Sequence, residues 1–322
     1  MSRIMRIGLP LAIIVLFLFI RLLTQPDSQP LAKAAEWPWQ APDTAAIPFT
    51  PQGRLIRYGR ALIANTAAYL GPKGIVKPIS NGMNCQNCHL EAGTKPWGNN
   101  YGAVAATYPR FRERSGAIES VEKRINDCLE RSLNGKPLDS NSLELKAMVA
   151  YIHWVGKDVQ KKSKPLGAGI SNLAYLSRAA DSANGKGVYS QYCGRCHGSA
   201  GEGVLNEGLP GYLYPPLWGP HSFNTGAGLY RLSRLAGYVK DNMPFGDANH
   251  CTPVLSDEEA WDVAAFISTQ ARPLKVFPKD WPVISTKPVD HPFGPFNDTF
   301  SEQQHKYGPF KPISTFKEKA KQ

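Results

Sequence analysis

Two five-residue motifs, CQNCH at 85–89 and CGRCH at 193–197, constrain this chain more than any other feature. Both are C-x-x-C-H, the pattern that attaches haem c. Two thiols on one short turn add to the two vinyl groups, and the adjacent histidine is placed to ligate iron. A structural zinc site would need four ligands gathered at each motif. A redox-active disulfide would need no histidine directly after its second cysteine. The motifs therefore imply two covalently attached haem c groups, held by Cys85, Cys88, Cys193 and Cys196, with His89 and His197 as axial ligands.

Haem of this type is attached outside the bacterial cytoplasm, and the N-terminus agrees with export. Arg3 and Arg6 precede the apolar run IGLPLAIIVLFLFI, followed by Arg21 and two leucines. Charge before an apolar run is the form of a signal peptide or signal anchor. The run is short for a membrane span, but Arg21 could snorkel so that Met5 to Leu23 crosses. The Ala32-Lys33-Ala34 cleavage candidate lies far from the run. An uncleaved anchor in residues 1–24 is therefore expected over a cleaved signal, with a periplasmic body tethered to the inner membrane; the alternative is a soluble periplasmic protein. The 322 residues allow about two domains plus extensions. The net charge is +11, yet no Lys/Arg block is dense enough to favour nucleic acid, so the charge suits an anionic substrate or acidic lipid.

The surroundings of the two motifs repeat. Before the first lies GRLIRYGRALIANTAAYLG, with apolar residues at helical spacing, and before the second the shorter DSANGKGVYSQYCGRCHG. A Gly/Pro-rich loop and a closing helix follow each: SLELKAMVAYIHWVGKDV, then SDEEAWDVAAFISTQ with a capping box at Ser256 and Glu259. Tyr151 and Phe266 occupy similar places in them. This organisation resembles class I cytochrome c domains, so an all-α fold is expected. It comprises a linker at 25–48, one domain over 49–160, a linker at 161–180, a second domain over 181–273 and a Pro-rich extension over 274–322. That extension shows no periodicity and would wrap the domains or stay partly loose.

Each haem needs a second axial ligand or an open position. In the second unit Met243, in NMPFG, lies after the haem loop and before the closing helix, where electron-transfer cytochromes place a distal methionine. His221 and His250 are rivals better read as surface or haem-edge residues. YPPLWG at 214–219 supplies carbonyls that could accept the proximal imidazole N–H. The first unit has no methionine there; Met148 lies inside the closing helix and reads as core, and His153 as packed or at the edge. The corresponding region instead holds Cys128, in RINDCLERSLNG. Ile125, Leu129 and Leu133 form the apolar face of this helix, with Arg124, Glu130 and Arg131 reading as solvated. Cys128 could ligate iron as a thiolate, be a buried free thiol, or pair with Cys251.

GNNYGAVAATYPRFRERSGAIESVEKRINDCLERSLNGKPL, with CGRCHG, PPLWGPHSFNTGAG and NMPFG, resembles the thiosulfate dehydrogenases, dihaem cytochromes c, over nearly all of 50–273. The resemblance implies that the first haem is catalytic, with His89 and Cys128 as axial ligands, and that the second is ligated by His197 and Met243. It implies coupling of two thiosulfates to tetrathionate, or the reverse reduction. Electrons would pass to a c-type cytochrome or a membrane acceptor. Arg114, Arg124 and Ser132 match the family's substrate residues. Their chemistry suits sulfonate oxygens, and Arg124, Cys128 and Ser132 fall four residues apart on one helix face. Each arginine could instead be solvated or pair with a haem propionate. Some family members carry a lysine directly before the distal methionine and exchange ligands on reduction; here that position is Asn242, so constant His197/Met243 ligation is expected. The alternatives are a membrane-tethered dihaem electron carrier with no substrate chemistry, and a Sox-type enzyme acting on a carrier protein.

Overall fold

The computed structural model describes residues 38–320; the expected anchor and the Ala32-Lys33-Ala34 site lie outside them. Among the described residues no helix is long and apolar enough to cross a membrane. They form one mainly helical body with two hydrophobic cores.

The first core is built where the helix Pro51–Ala64 crosses the closing helix Leu143–Val155. The first starts cleanly because Pro51 is helix-compatible at the first position and the Thr50 side chain accepts the Gly53 N–H at 3.1 Å. It buries Ile56, Leu62 and Ile63. The crossing is closest at Gly59, where a β-carbon would lie 1.9 Å from the Ala147 carbonyl oxygen. The second core repeats the device. The helix Ser182–Val188 meets the closing helix Asp257–Thr269 at Gly185, whose β-carbon would fall 1.9 Å from the Asp262 carbonyl oxygen. The expected capping box is present: Ser256 Oγ accepts the Glu259 N–H at 3.1 Å, and Glu259 accepts the Ser256 N–H at 2.7 Å.

Two short hairpins add to the mainly helical fold that was expected. Arg110–Arg112 pairs antiparallel with Ala117–Glu119, and Val204–Leu205 with Tyr212–Tyr214. These hairpins are short and sit in the haem loops, where no alternating pattern is long enough to show in sequence. The first hairpin's turn carries Arg114.

The two halves are joined by side chains that satisfy each other's backbone. Asn224 Nδ2 donates to the Glu130 carbonyl at 2.8 Å, Asn81 Nδ2 to that of Ser222 at 3.1 Å, and the Tyr238 hydroxyl to that of Asn87 at 3.1 Å. Leu90, Ile170 and Tyr238 form a small apolar cluster there, and Trp97 stacks on His250 at 3.8 Å.

The C-terminal extension is not loose. It adds the helices Glu302–Tyr307 and Lys311–Lys319, and places Phe310 and Ile313 in the second core. Buried His305 bridges the Val289 carbonyl and Asp298. The extension also overturns one reading of the Cys128 helix: Arg131 is buried, because Phe277 and Asp280 cover it.

Candidate active site

His89 and His197 follow their cysteine pairs and end in the same chemical state. His197 is buried and His89 sits half-buried on a cavity wall, and the loss of hydration pushes both pKa values down, to about 4 for His89. A neutral imidazole facing a carbonyl must carry its proton on that nitrogen. His89 Nδ1 meets the Asn99 carbonyl at 2.5 Å, and His197 Nδ1 meets that of Pro215 at 2.8 Å. Both rings therefore keep an Nε2 lone pair for a metal. The proline carbonyl was foreseen from YPPLWG, whereas nothing in the sequence marks Asn99 for this task. Burial pushes Cys85 and Cys88 up to about 12, and among the described residues no group of three or more His, Cys, Asp or Glu is gathered as a zinc site requires.

Each motif opens into a cavity of about 400 Å³. The first is walled by Val104, Ile125, Leu133, Met148, Ile152 and Leu229, the second by Met83, Leu90, Leu217, Leu235, Val239 and Ile267. An apolar slot with a cysteine pair at its edge and an imidazole lone pair available fits a haem. The two cavities share Asn84, Cys88 and Leu229 as walls, so groups held in them would be neighbours. Met243, the residue after the helix Leu232–Asn242, lines the second cavity. His221 and His250 do not, and His153 is exposed.

Cys128 lines the first cavity from the helix Val121–Arg131, which starts at Ser120, whose Oγ accepts the Lys123 N–H. Arg114, Arg124 and Ser132 line the same cavity, so the four residues named from sequence are brought together. Ser132 ends the helix, its N–H donating to the Cys128 carbonyl at 2.8 Å. Cys128 and Cys251 are both free thiols, and Cys251 is exposed, so the disulfide reading fails. Met148, read as core, is buried and also lines this cavity.

The electrostatics of this cavity are cationic. The negative charge that Cys128 can carry pushes the Arg124 pKa up, against burial. Among the described residues no carboxylate lies within 4.0 Å of Arg124. Burial and the nearby Arg131 and Arg124 push Arg114 down to about 10, partly offset by Asp280. Three further arginines, not anticipated, join them. Arg112 comes from the first hairpin, while Arg231 and Arg234 come from the second half of the chain. Asp290 accepts from Arg231 Nε at 2.9 Å, whereas Arg234 hydrogen-bonds only neutral Asn172, at 3.1 Å. Such a pocket suits small, highly charged anions.

Two cytochrome c units with one cationic haem pocket define a dihaem oxidoreductase, and comparison with known proteins is specific. Residues 76–160 match the SoxA/TsdA cytochrome c domain and residues 182–271 match cytochrome c. The chain is 40% identical over 238 residues to the thiosulfate dehydrogenase of Allochromatium vinosum, covering 72% of this chain and 84% of that one. It is 37% identical over 246 residues to that of Psychrobacter arcticus, covering 75% and 71%. A solved thiosulfate dehydrogenase (TsdBA) from Marichromatium purpuratum superposes with a TM-score of 0.68 at 32% identity, covering 76% of this chain and 52% of that one, so the present chain spans about half its length. The chain belongs to the thiosulfate dehydrogenase family, and it is an oxidoreductase with two covalently bound haem c groups. The pure electron-carrier reading is thereby set aside.

Proposed function

We propose that this protein couples two thiosulfates into tetrathionate, and runs the reverse reduction, at the first cavity. Cys85, Cys88, His89 and Cys128 would hold the catalytic haem; Cys193, Cys196, His197 and Met243 would hold the other. The observation that carries this reading is the gathering of Cys128, Arg114, Arg124 and Ser132 around the cavity that His89 faces.

The sulfur of Cys128, as thiolate, bonds the outer sulfur of one thiosulfate, and two electrons are released as this S–S bond forms. A second thiosulfate attacks the same outer sulfur, breaking the bond to Cys128. Tetrathionate leaves and the thiolate is restored, so two thiosulfates yield one tetrathionate and two electrons. When bound, the two haems together supply the one-electron acceptors that this two-electron coupling requires. Arg114 and Arg124 bind sulfonate oxygens and offset the repulsion between two dianions, and Ser132 adds a hydroxyl donor. The shared wall of the cavities supports passage of electrons to the second site. Beside it, the exposed residues Leu209, Leu213 and Phe245 offer an apolar rim to a c-type cytochrome or membrane acceptor. Residues 1–24 would export the protein to the periplasm and tether it to the inner membrane, with release by cleavage as the alternative.

The test is Cys128→Gly, assayed by ferricyanide-coupled thiosulfate oxidation and by tetrathionate-dependent oxidation of a reduced viologen. Both haems should remain attached, the thiolate-type low-spin EPR signal should vanish, and turnover should fall by at least about a thousandfold. Retention of full activity would sink the mechanism.

A further inference from the structure

The regions matched to family models end at residue 271, yet the chain beyond reaches Arg114, a residue of the first cavity's wall. The contact is made by two consecutive residues. Asp280 accepts two hydrogen bonds from Arg131, Nη1 to Oδ2 at 2.7 Å and Nη2 to Oδ1 at 2.8 Å. The same Oδ2 lies 3.9 Å from Arg114 Nε. One carboxylate thus ties a guanidinium on the Cys128 helix to one on the hairpin turn. Arg131 continues to Asp127, at 3.8 Å from its Nε, within the same helix.

Trp281 holds Arg114 in two further ways. Its backbone N–H donates to the Arg114 carbonyl at 2.6 Å, and its ring lies 5.6 Å from the Arg114 guanidinium. To do so Trp281 adopts a left-handed backbone with φ of 59°, which disfavours a bulky side chain and persists only where surrounding contacts enforce it. On its other side Arg114 Nη1 donates to the Gly226 carbonyl at 3.2 Å. Without Asp280, the largely buried Arg114 and Arg131 would be like charges with only Asp127, on the far side of Arg131, to offset them, and Arg114 would turn away.

We propose that Asp280 and Trp281, in the C-terminal extension, are positioning residues of the substrate pocket, holding the Arg114 guanidinium in the orientation that binds the anion. The inference rests on the reading that Arg114 binds thiosulfate.

The experiment compares Asp280→Asn, Asp280→Glu and Trp281→Phe in the full-length dihaem protein, with Asp298→Asn as a control inside the extension. Asp280→Asn should raise KM for thiosulfate on the order of tenfold while kcat stays within about twofold. Both haem potentials should be unchanged, and Asp280→Glu should recover most of the loss. Trp281→Phe removes a buried indole N–H that has no partner, so it should fold normally, and the weaker ring should raise KM about threefold. Asp298→Asn should lower the melting temperature without moving KM. The proposal is overturned if KM stays within about twofold of wild type in both Asp280→Asn and Trp281→Phe, or if Asp298→Asn raises it equally. Calorimetric titration with thiosulfate gives the same comparison as Kd without turnover. Wild-type protein that binds thiosulfate but fails to oxidise it would count against the proposed function instead.

Discussion

The residue before Met243 is short and already committed. Asn242 is fully buried and donates from Nδ2 to the carbonyls of Tyr238 at 2.9 Å and Trp97 at 3.1 Å. Lys240, the nearest amine, is held by the Leu255 carbonyl at 2.7 Å and by Asp257 at 2.8 Å. If Met243 holds the second haem as proposed, neither side chain is free to displace it. The Met–iron absorption band should therefore have the same redox-independent ligation behind it at every potential; a ligand exchange seen on cycling the second haem between oxidised and reduced forms would contradict this. At the same scale, Cys128 could be singled out from sequence because a lone cysteine stood where the other unit has its methionine. Arg124 and Ser132 came from the resemblance to the family, and helical spacing agrees with it by placing both on the face of Cys128. Arg131 sits three residues from Cys128 and was misread, because its burial depends on a carboxylate 149 positions away.

At the scale of elements, the two helix crossings are the most demanding packing in the molecule. The helices touch through backbone at Gly59 and Gly185, so a methyl group cannot be accommodated by a rotamer change. Gly59→Ala should destabilise the protein by about 3 kcal/mol, the upper part of the overpacking range, read by denaturant titration. Gly185→Ala should behave alike, and a loss below about 0.5 kcal/mol in either would show that the helices separate easily. Helix existence, apolar faces and the Ser256 cap were legible because each is set within a few residues, and the structure adds the caps Thr50, Ser120 and Ser142 by the same local rule. The short hairpins were not legible. Two or three residues per strand give no period, and their pairing is enforced by the haem loops around them.

Across the whole molecule, the C-terminal extension joins the second core to Arg114 on the first cavity's wall, and its docking carries a pH dependence. His291 packs edge-on against Trp281 at 5.6 Å. Burial, then Lys287, pushes its pKa from an ordinary 6.5 down to about 4. Between those values a released extension binds a proton that the docked one refuses. Its contribution to stability is therefore complete above pH 6.5 and is lost as the pH falls toward 4. Melting temperature should decline over that window in wild type, and His291→Phe should flatten the decline; an identical slope in the variant would remove His291 as its cause.

The sequence by itself determined the chemistry that is local in the chain. Two C-x-x-C-H motifs specify two haem sites, one helical face groups Cys128 with Arg124 and Ser132, and NMPFG sets Met243 between the haem loop and the closing helix. Only the tertiary structure decided what surrounds them. Asn99 orients His89, Arg231 and Arg234 enter the first cavity from the other half, and Asp280 and Trp281 hold Arg114 from the end of the chain. The physical reason is range. Covalent attachment, capping and helical periodicity act over a few residues, whereas balancing a buried cluster of arginines needs carboxylates and carbonyls that only folding brings within reach.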